Sequence, residues 1–277
     1  MTPVNTAVTI ASLAHPSTDP TTLITRVRGA LGWVGSDFLV GLQSYDELMA
    51  TLQVATDLEG LVRIGDPTSP PLRLLRALNA AHPDLRLTRV TSIDSPWRWT
   101  RLGGGAGDAA GVALRQQTYS DVVSALGRAG VAFRVLPNDT STEEMLRIGR
   151  EVGSAVVDLD ELEPDGILIV GFLETLDPIS YGLLSREHHD PGEDAVVWLS
   201  ITAEREAAGT LMTALEQFSV LGLDLDFLHS DPLAPGRHDF FLGFRADPSS
   251  IGDLQLALAT VGFSSRVLAS FARERRS

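Results

Sequence analysis

Between residues 195 and 270 the chain reads strand, helix, strand, strand, helix, strand, and no other feature of the sequence restricts the possible fold as much. The expected strands are 195–202, 223–230, 237–245 and 264–270; the expected helices are 206–221 and 249–261. Leu225, Phe227, Phe241 and Val267 fall at alternating apolar positions, as strands require when one face packs against helices. This βαββαβ order predicts a small α+β module at the C-terminal side of the linker 187–194.

Upstream of that linker the pattern is different, because strands and helices alternate singly. Residues 8–13 read as a strand, a Pro- and hydroxyl-rich loop follows, and a helix begins near Leu23. Residues 38–42 give a second strand, Ser44 with Glu47 forms a capping box for a helix through Thr56, and strand character resumes over 60–64. The same alternation returns over 72–93 and again over 111–159, with helices at 119–130 and 142–153. Two α/β lobes with a ligand cleft between them is the expected architecture, since such clefts form where strand ends and helix N-termini converge. The glycine run 103–107 lacks the Lys-Ser/Thr of a phosphate loop and is expected to be a flexible surface turn.

The charge balance limits the chemistry. A formal net charge of -14 over 277 residues opposes nucleic acid and anionic membrane as partners, both of which need a positive footprint. Lysine is absent, so Schiff-base chemistry has no amine and every fixed side-chain cation is an arginine. With no cysteine and six scattered histidines, a metal site is not expected, nor is any cofactor. No apolar run is long enough to span a bilayer, no signal run opens the sequence, and a cytoplasmic location is expected.

Short motifs give the chain a family likeness. The first helix of the C-terminal module opens on Gly209-Thr210-Leu211, its second strand ends on His229-Ser230-Asp231-Pro232, and Asp239-Phe240-Phe241-Leu242-Gly243-Phe244 follows. The module resembles the regulatory ACT domain of bacterial prephenate dehydratases, a ferredoxin-like fold in which Gly-Ala-Leu and Glu-Ser-Arg-Pro occupy those places and an aromatic strand follows. The Glu and Arg of the second motif are replaced. In that family phenylalanine binds between paired ACT domains. The resemblance therefore implies a phenylalanine effector held by Gly209, Thr210, Leu211, His229 and Ser230, and a homodimer or homotetramer.

The resemblance continues over 42–66 and 114–157. It implies a two-lobed, periplasmic-binding-protein-like α/β domain over 1–190, with the second lobe at about 86–165, followed by an ACT domain over 194–272. Gln117 stands in the place of a family glutamine, and Thr140-Ser141-Thr142 in the place of a Ser-Ser-Thr turn at a helix start. Such a turn suits a carboxylate, because free N–H groups, hydroxyls and the helix dipole all favour negative charge; ordinary N-capping is the competing reading. Gln117, Thr140, Ser141, Thr142 and the neighbouring Arg115 are the implied substrate-binding residues.

The departures fall on the chemistry. The family's Gly-Pro-x-Gly-Thr-Phe loop is matched by residues 14–19, which keep the hydroxyl of Thr18, and its Glu-Asn-Ser by Gly65-Asp66-Pro67. The catalytic Thr-Arg-Phe aligns with Ile179-Ser180-Tyr181, and a one-residue slip brings Ser180 to the threonine's place. Ser180 and Thr18 are the candidate catalytic residues, Arg63 or Arg115 the replacement cation, and Asp177, Glu174 or His15 the proton donor. The implied reaction converts prephenate, by decarboxylation and dehydration, to phenylpyruvate. Two alternatives stand beside it: a prephenate decarboxylase that does not aromatise, and an ACT-domain amino-acid sensor without catalysis.

Overall fold

The computed structural model describes residues 9–13, 27, 38–42, 44–95, 97–101, 111–137, 139–158, 168–169, 178–188, 190–205, 207–234 and 236–272. In chain order the elements are β1 (Thr9–Leu13), β2 (Phe38–Leu42), α1 (Tyr45–Val54), β3 (Glu59–Arg63), α2 (Leu72–Ala80) and β4 (Arg86–Ile93). Then come β5 (Trp97–Arg101), β6 (Gly111–Arg115), α3 (Gln116–Ala129), β7 (Ala132–Leu136), α4 (Thr142–Val152), β8 (Ser154–Asp158) and β9 (Leu168–Ile169). The chain closes with β10 (Ile179–Ser185), β11 (Ala195–Ala203), α5 (Thr210–Val220), β12 (Leu225–Ala234), β13 (Arg237–Ala246), α6 (Pro248–Thr260) and β14 (Phe263–Phe271). The described residues fall into two compact units: those up to 92 together with those from 180 onward, and the intervening 93–179.

The first unit is built on a nine-stranded sheet in the order β12-β13-β11-β14-β4-β10-β3-β1-β2. β1 runs parallel to β2 and β3, whereas β10 enters antiparallel to β3. Because β4 lies in this sheet, the second unit begins only at the end of that strand, at Ile93 and not near residue 86. At the other end the C-terminal elements form a βαββαβ module whose four strands are antiparallel and ordered β12-β13-β11-β14, and Ala269 of β14 pairs in parallel with Leu87 of β4.

Alternation decides which way each strand residue of this module faces. Phe240, Leu242 and Phe244 pack with Leu254 and Leu258 of α6 and Phe218 of α5 in one core. Phe241, Trp198, Phe227 and Phe271 turn the other way and share a second core with Leu74, Leu75 and Leu78 of α2. The module's sheet is therefore covered on both faces, by its own two helices and by a helix from the N-terminal part of the unit. Polar groups match across that second face. Asn79 donates to Asp239 over 2.8 Å, Ser200 donates to Asn79 Oδ1 over 2.7 Å, and Trp198 Nε1 donates to the Pro67 carbonyl over 3.0 Å. Arg76 forks onto Asp231, with Nε at 2.6 Å from Oδ2 and Nη2 on Oδ1.

Two glycines are demanded by this geometry for different reasons. Gly209 precedes α5 at φ +88° with open space where a side chain would be, so its role is backbone conformation and not close packing. Gly243 lies under the Phe227 ring, and a Cβ there would stand 2.1 Å from Cε1.

The second unit has a five-stranded sheet, β7-β6-β8-β5-β9, with β6 parallel to β7 and β8 and β5 antiparallel to β8 and β9. Its core gathers Met145, Leu146 and Ile148 of α4 against Ala113, Ala155 and Val157. Trp97 is buried and its indole N–H donates to Asp121 of α3 over 2.7 Å, which ties the antiparallel strand to the parallel layer. The expected glycine turn at 103–107 lies outside the described residues.

Candidate functional site

In the second unit the expected turn and cation come together. Arg115 ends β6 as a buried residue, and its guanidinium donates from Nε to the Thr140 carbonyl at 2.9 Å and from Nη2 to Thr142 Oγ1 at 3.1 Å. Ser141 caps α4, its hydroxyl accepting from the Glu144 amide over 3.2 Å. One arginine thus fixes both ends of a three-residue turn at a helix N-terminus, where first-turn amides and the helix dipole present positive potential. Arg115 is committed to shaping the turn through these bonds. Gln117 occupies the second position of α3, two residues after Arg115, and its side chain lies outside the described residues.

In the first unit the candidate cation Arg63 sits at the C-terminal end of β3, beside two of the chain's three tyrosines. Tyr181 stands directly opposite Arg63 in the β3–β10 register, and the Tyr45 hydroxyl donates to the Arg63 carbonyl at 3.4 Å. Arg73 lies over the Tyr45 ring, 5.3 Å from its centroid. Burial holds the Arg63 guanidinium below its ordinary pKa, with Tyr181 and Tyr45 pulling it back up. Burial pushes the Tyr45 phenol up, against Arg73 and Arg63. A half-buried cation flanked by phenols at the end of a parallel strand is equipped to receive an anion and to donate hydrogen bonds to it. Reading the sequence linearly missed Tyr45 and Arg73; the scarcity of tyrosine was the available signal.

Ser180 is buried on β10, where its hydroxyl meets Ser92 Oγ at 3.1 Å and its carbonyl accepts from the Ile64 amide at 3.0 Å. As the neighbour of Tyr181 on a strand it faces the opposite side of the sheet from Arg63. Ser180 and Arg63 therefore do not converge. Thr18, His15, Glu174 and Asp177 lie outside the described residues.

The residues implied for an effector divide between two faces of the C-terminal sheet. Thr210 accepts from the Ala207 amide at 2.9 Å, and Leu211 packs into the core under α5 and α6. Ser230, opposite Phe240, is on that same side and exposed, whereas His229, opposite Phe241, lies on the α2 side against the Phe227 ring. His229 Nε2 is buried with no hydrogen-bond partner among the described residues. Asp231 stands where the family motif has arginine, and Arg76 from α2 supplies the guanidinium there instead. Among the described residues no group of three or more His, Asp or Glu is placed to hold a metal, and no helix is long and apolar enough to cross a membrane.

A two-unit α/β framework carrying a βαββαβ module defines the class to which these features belong, and solved structures share it. The prephenate dehydratase of Arthrobacter aurescens, in complex with L-phenylalanine, superposes with a TM-score of 0.67 at 16% identity, covering 96% of this chain and 90% of that one. The prephenate dehydratase of Staphylococcus aureus gives 0.63 at 15%, covering 95% and 100%. A protein described as a novel type of quorum-quenching acylase gives 0.64 at 16%, covering 96% and 98%. No family model matches the sequence, and no curated protein matches it. The chain has the prephenate dehydratase fold, and identities this low establish the fold alone.

Proposed function

We propose that this chain is a prephenate dehydratase-like lyase of aromatic amino-acid biosynthesis, located in the cytoplasm and acting on prephenate or a closely similar small carboxylate with altered catalytic groups. The observation that carries this reading is the extent of the fold likeness, which runs through nearly the whole of both chains, C-terminal module included. In this reading 1–190 is the two-lobed catalytic domain and 194–272 an ACT domain that answers to phenylalanine. The Arthrobacter enzyme's complex with L-phenylalanine supports that effector.

The chemistry asks little of the protein. As the ring carboxylate leaves as carbon dioxide, the electron pair of the breaking carbon–carbon bond enters the ring and expels the hydroxyl group, which takes up a proton and departs as water. Aromatisation supplies the driving force, so positioning and proton donation are the protein's share. In the first unit Arg63, beside Tyr181 and Tyr45, is the group suited to hold a substrate carboxylate. In the second unit the turn of Thr140, Ser141 and Thr142, shaped by Arg115, offers amides and hydroxyls of the kind that suit a carboxylate. Thr18 takes the place of the missing threonine, because Ser180 faces the other side of the sheet from Arg63.

The test is incubation of the purified chain with prephenate, following substrate loss and phenylpyruvate formation against a protein-free control, with and without phenylalanine. Protein-dependent phenylpyruvate is the expected result, and Arg63→Gln should lower kcat/KM by about 10²-fold. Loss of prephenate without phenylpyruvate would replace dehydration by non-aromatising decarboxylation. Absence of turnover would favour the sensor, a reading supported by the replacement of the family's Thr-Arg-Phe and by Ser180 facing away from Arg63. The acylase neighbour bears on the same point, since one fold serves proteins with different named activities.

A further inference from the structure

A cleft of about 480 Å³ lies within the first unit, away from Arg63, where β4, β14 and α6 meet the segment around His188. Its polar lining is dominated by two arginines, Arg86 of β4 and Arg266 of β14, with Gln255 and Ser265 beside them. Arg266 is largely committed. Its Nη1 donates to the carbonyls of Asn79 and Ala81 at 2.7 and 2.8 Å, and its Nη2 to those of His82 and Leu85 at 2.6 and 3.4 Å, closing the C-terminal end of α2. What remains is Nε, which is buried without a partner. Arg86 makes no hydrogen bond or ion pair among the described residues, and its Nε is likewise buried and unpartnered.

Two like charges thus line one cleft, each with an unsatisfied buried N–H, an arrangement that costs free energy until something negative enters. Burial holds both guanidinium groups below their ordinary pKa; for Arg266 the neighbouring Arg86 adds to the depression, and the exposed Asp84 partly opposes it at both. Among the described residues no carboxylate side chain lines the cleft itself. Pro83, Pro191 and Ile251 supply an apolar wall. Gly252, in the second turn of α6, faces this space with nothing within 4 Å of where a Cβ would be. A glycine inside a helix costs roughly 1 kcal/mol against alanine, and here it leaves room.

We propose that this cleft binds a small organic carboxylate that has an apolar body and no ammonium group, its carboxylate lying between Arg86 and Arg266 Nε. With no acid among the described lining residues, a zwitterionic amino acid would set its ammonium group beside two arginines without a lining partner, which disfavours it. The site is separate from the effector residues Gly209, Thr210, Leu211, His229 and Ser230, and binding at it does not depend on turnover of prephenate.

The test is calorimetric titration of the full chain with 3-phenylpropionate, with inorganic phosphate and L-phenylalanine as competitors. Saturable binding of 3-phenylpropionate is expected, weakened about tenfold or more by Arg86→Gln, which removes a charged partner. Gly252→Met fills the cleft while improving helix propensity, so it should abolish binding in a protein that unfolds no earlier than the parent. L-phenylalanine should not compete. Absence of saturable binding up to about 10 mM would overturn the proposal. So would affinity unchanged in both variants, displacement by L-phenylalanine, or phosphate binding more tightly than 3-phenylpropionate.

Discussion

Single residues in this chain are held by neighbours distant in sequence. Gly243 is the sharpest case, since the Phe227 ring occupies the volume a side chain would need. Gly243→Ala should force the ring out of its contact with Trp198 and lower stability by about 1–3 kcal/mol, read as a fall in the denaturant midpoint without a change in slope. Tyr45 offers a test by titration. Its folded-state pKa is raised above the ordinary 10.0 by burial, so its contribution to stability is complete below pH 10 and is lost as pH rises through the folded value. In the ultraviolet phenolate titration of the native protein, Tyr45→Phe should remove a transition lying above that ordinary value; loss of a phenol titrating at or below it would refute the assignment. The replaced ACT motif is instructive at the same scale. Asp231 where the family has arginine looks like a loss in the sequence, yet a guanidinium is present at that place, because Arg76 approaches from α2.

Elements were legible where their periodicity was regular. The capped helices beginning after Ser44 and Ser141 have the bonds their capping residues predict, and the βαββαβ order stands as read, with α5 starting at Thr210 because Gly209 interrupts the backbone before it. Three strands were not legible: β5, the two-residue β9 and β10. β5 is Trp-Arg-Trp-Thr-Arg, whose aromatic and charged residues give no simple alternation until β8 pairs with it, and β10 is buried along its whole length, which erases the period-two signal. The candidate site was half visible for the same reason. The turn at Thr140 is local, whereas the meeting of Arg63, Tyr45 and Tyr181 requires strand register. α2 shows what an element can do beyond its own sequence, since it covers the second face of the C-terminal sheet. Leu78→Ala on its buried face should cost about 2–5 kcal/mol and increase quenching of tryptophan fluorescence as Trp198 loses its cover; a smaller loss with unchanged quenching would mean the sheet does not depend on α2.

For the whole molecule, the covering of both sheet faces leaves the edge as the route for self-association. Among the described residues β12 pairs with β13 alone and ends the nine-stranded sheet, exposing Leu228 and Leu233. An unpaired strand of this length is a template for a second copy, and we expect a homodimer, or a tetramer built from it, joined through β12. Leu228→Lys should raise the dissociation constant by about tenfold or more in sedimentation experiments; a monomeric parent chain would refute the arrangement. The position of β10 has a consequence of another kind. It lies between β3 and β4, yet the ribosome makes it only after the entire inserted unit 93–179 has been synthesised. At about 5–20 residues per second the early strands must wait several seconds for the partner that joins them. Only at the end of that interval does the inserted unit have all the described strands of its own sheet, and until then β3 and β4 expose unpaired edges to whatever chaperone attends the nascent chain.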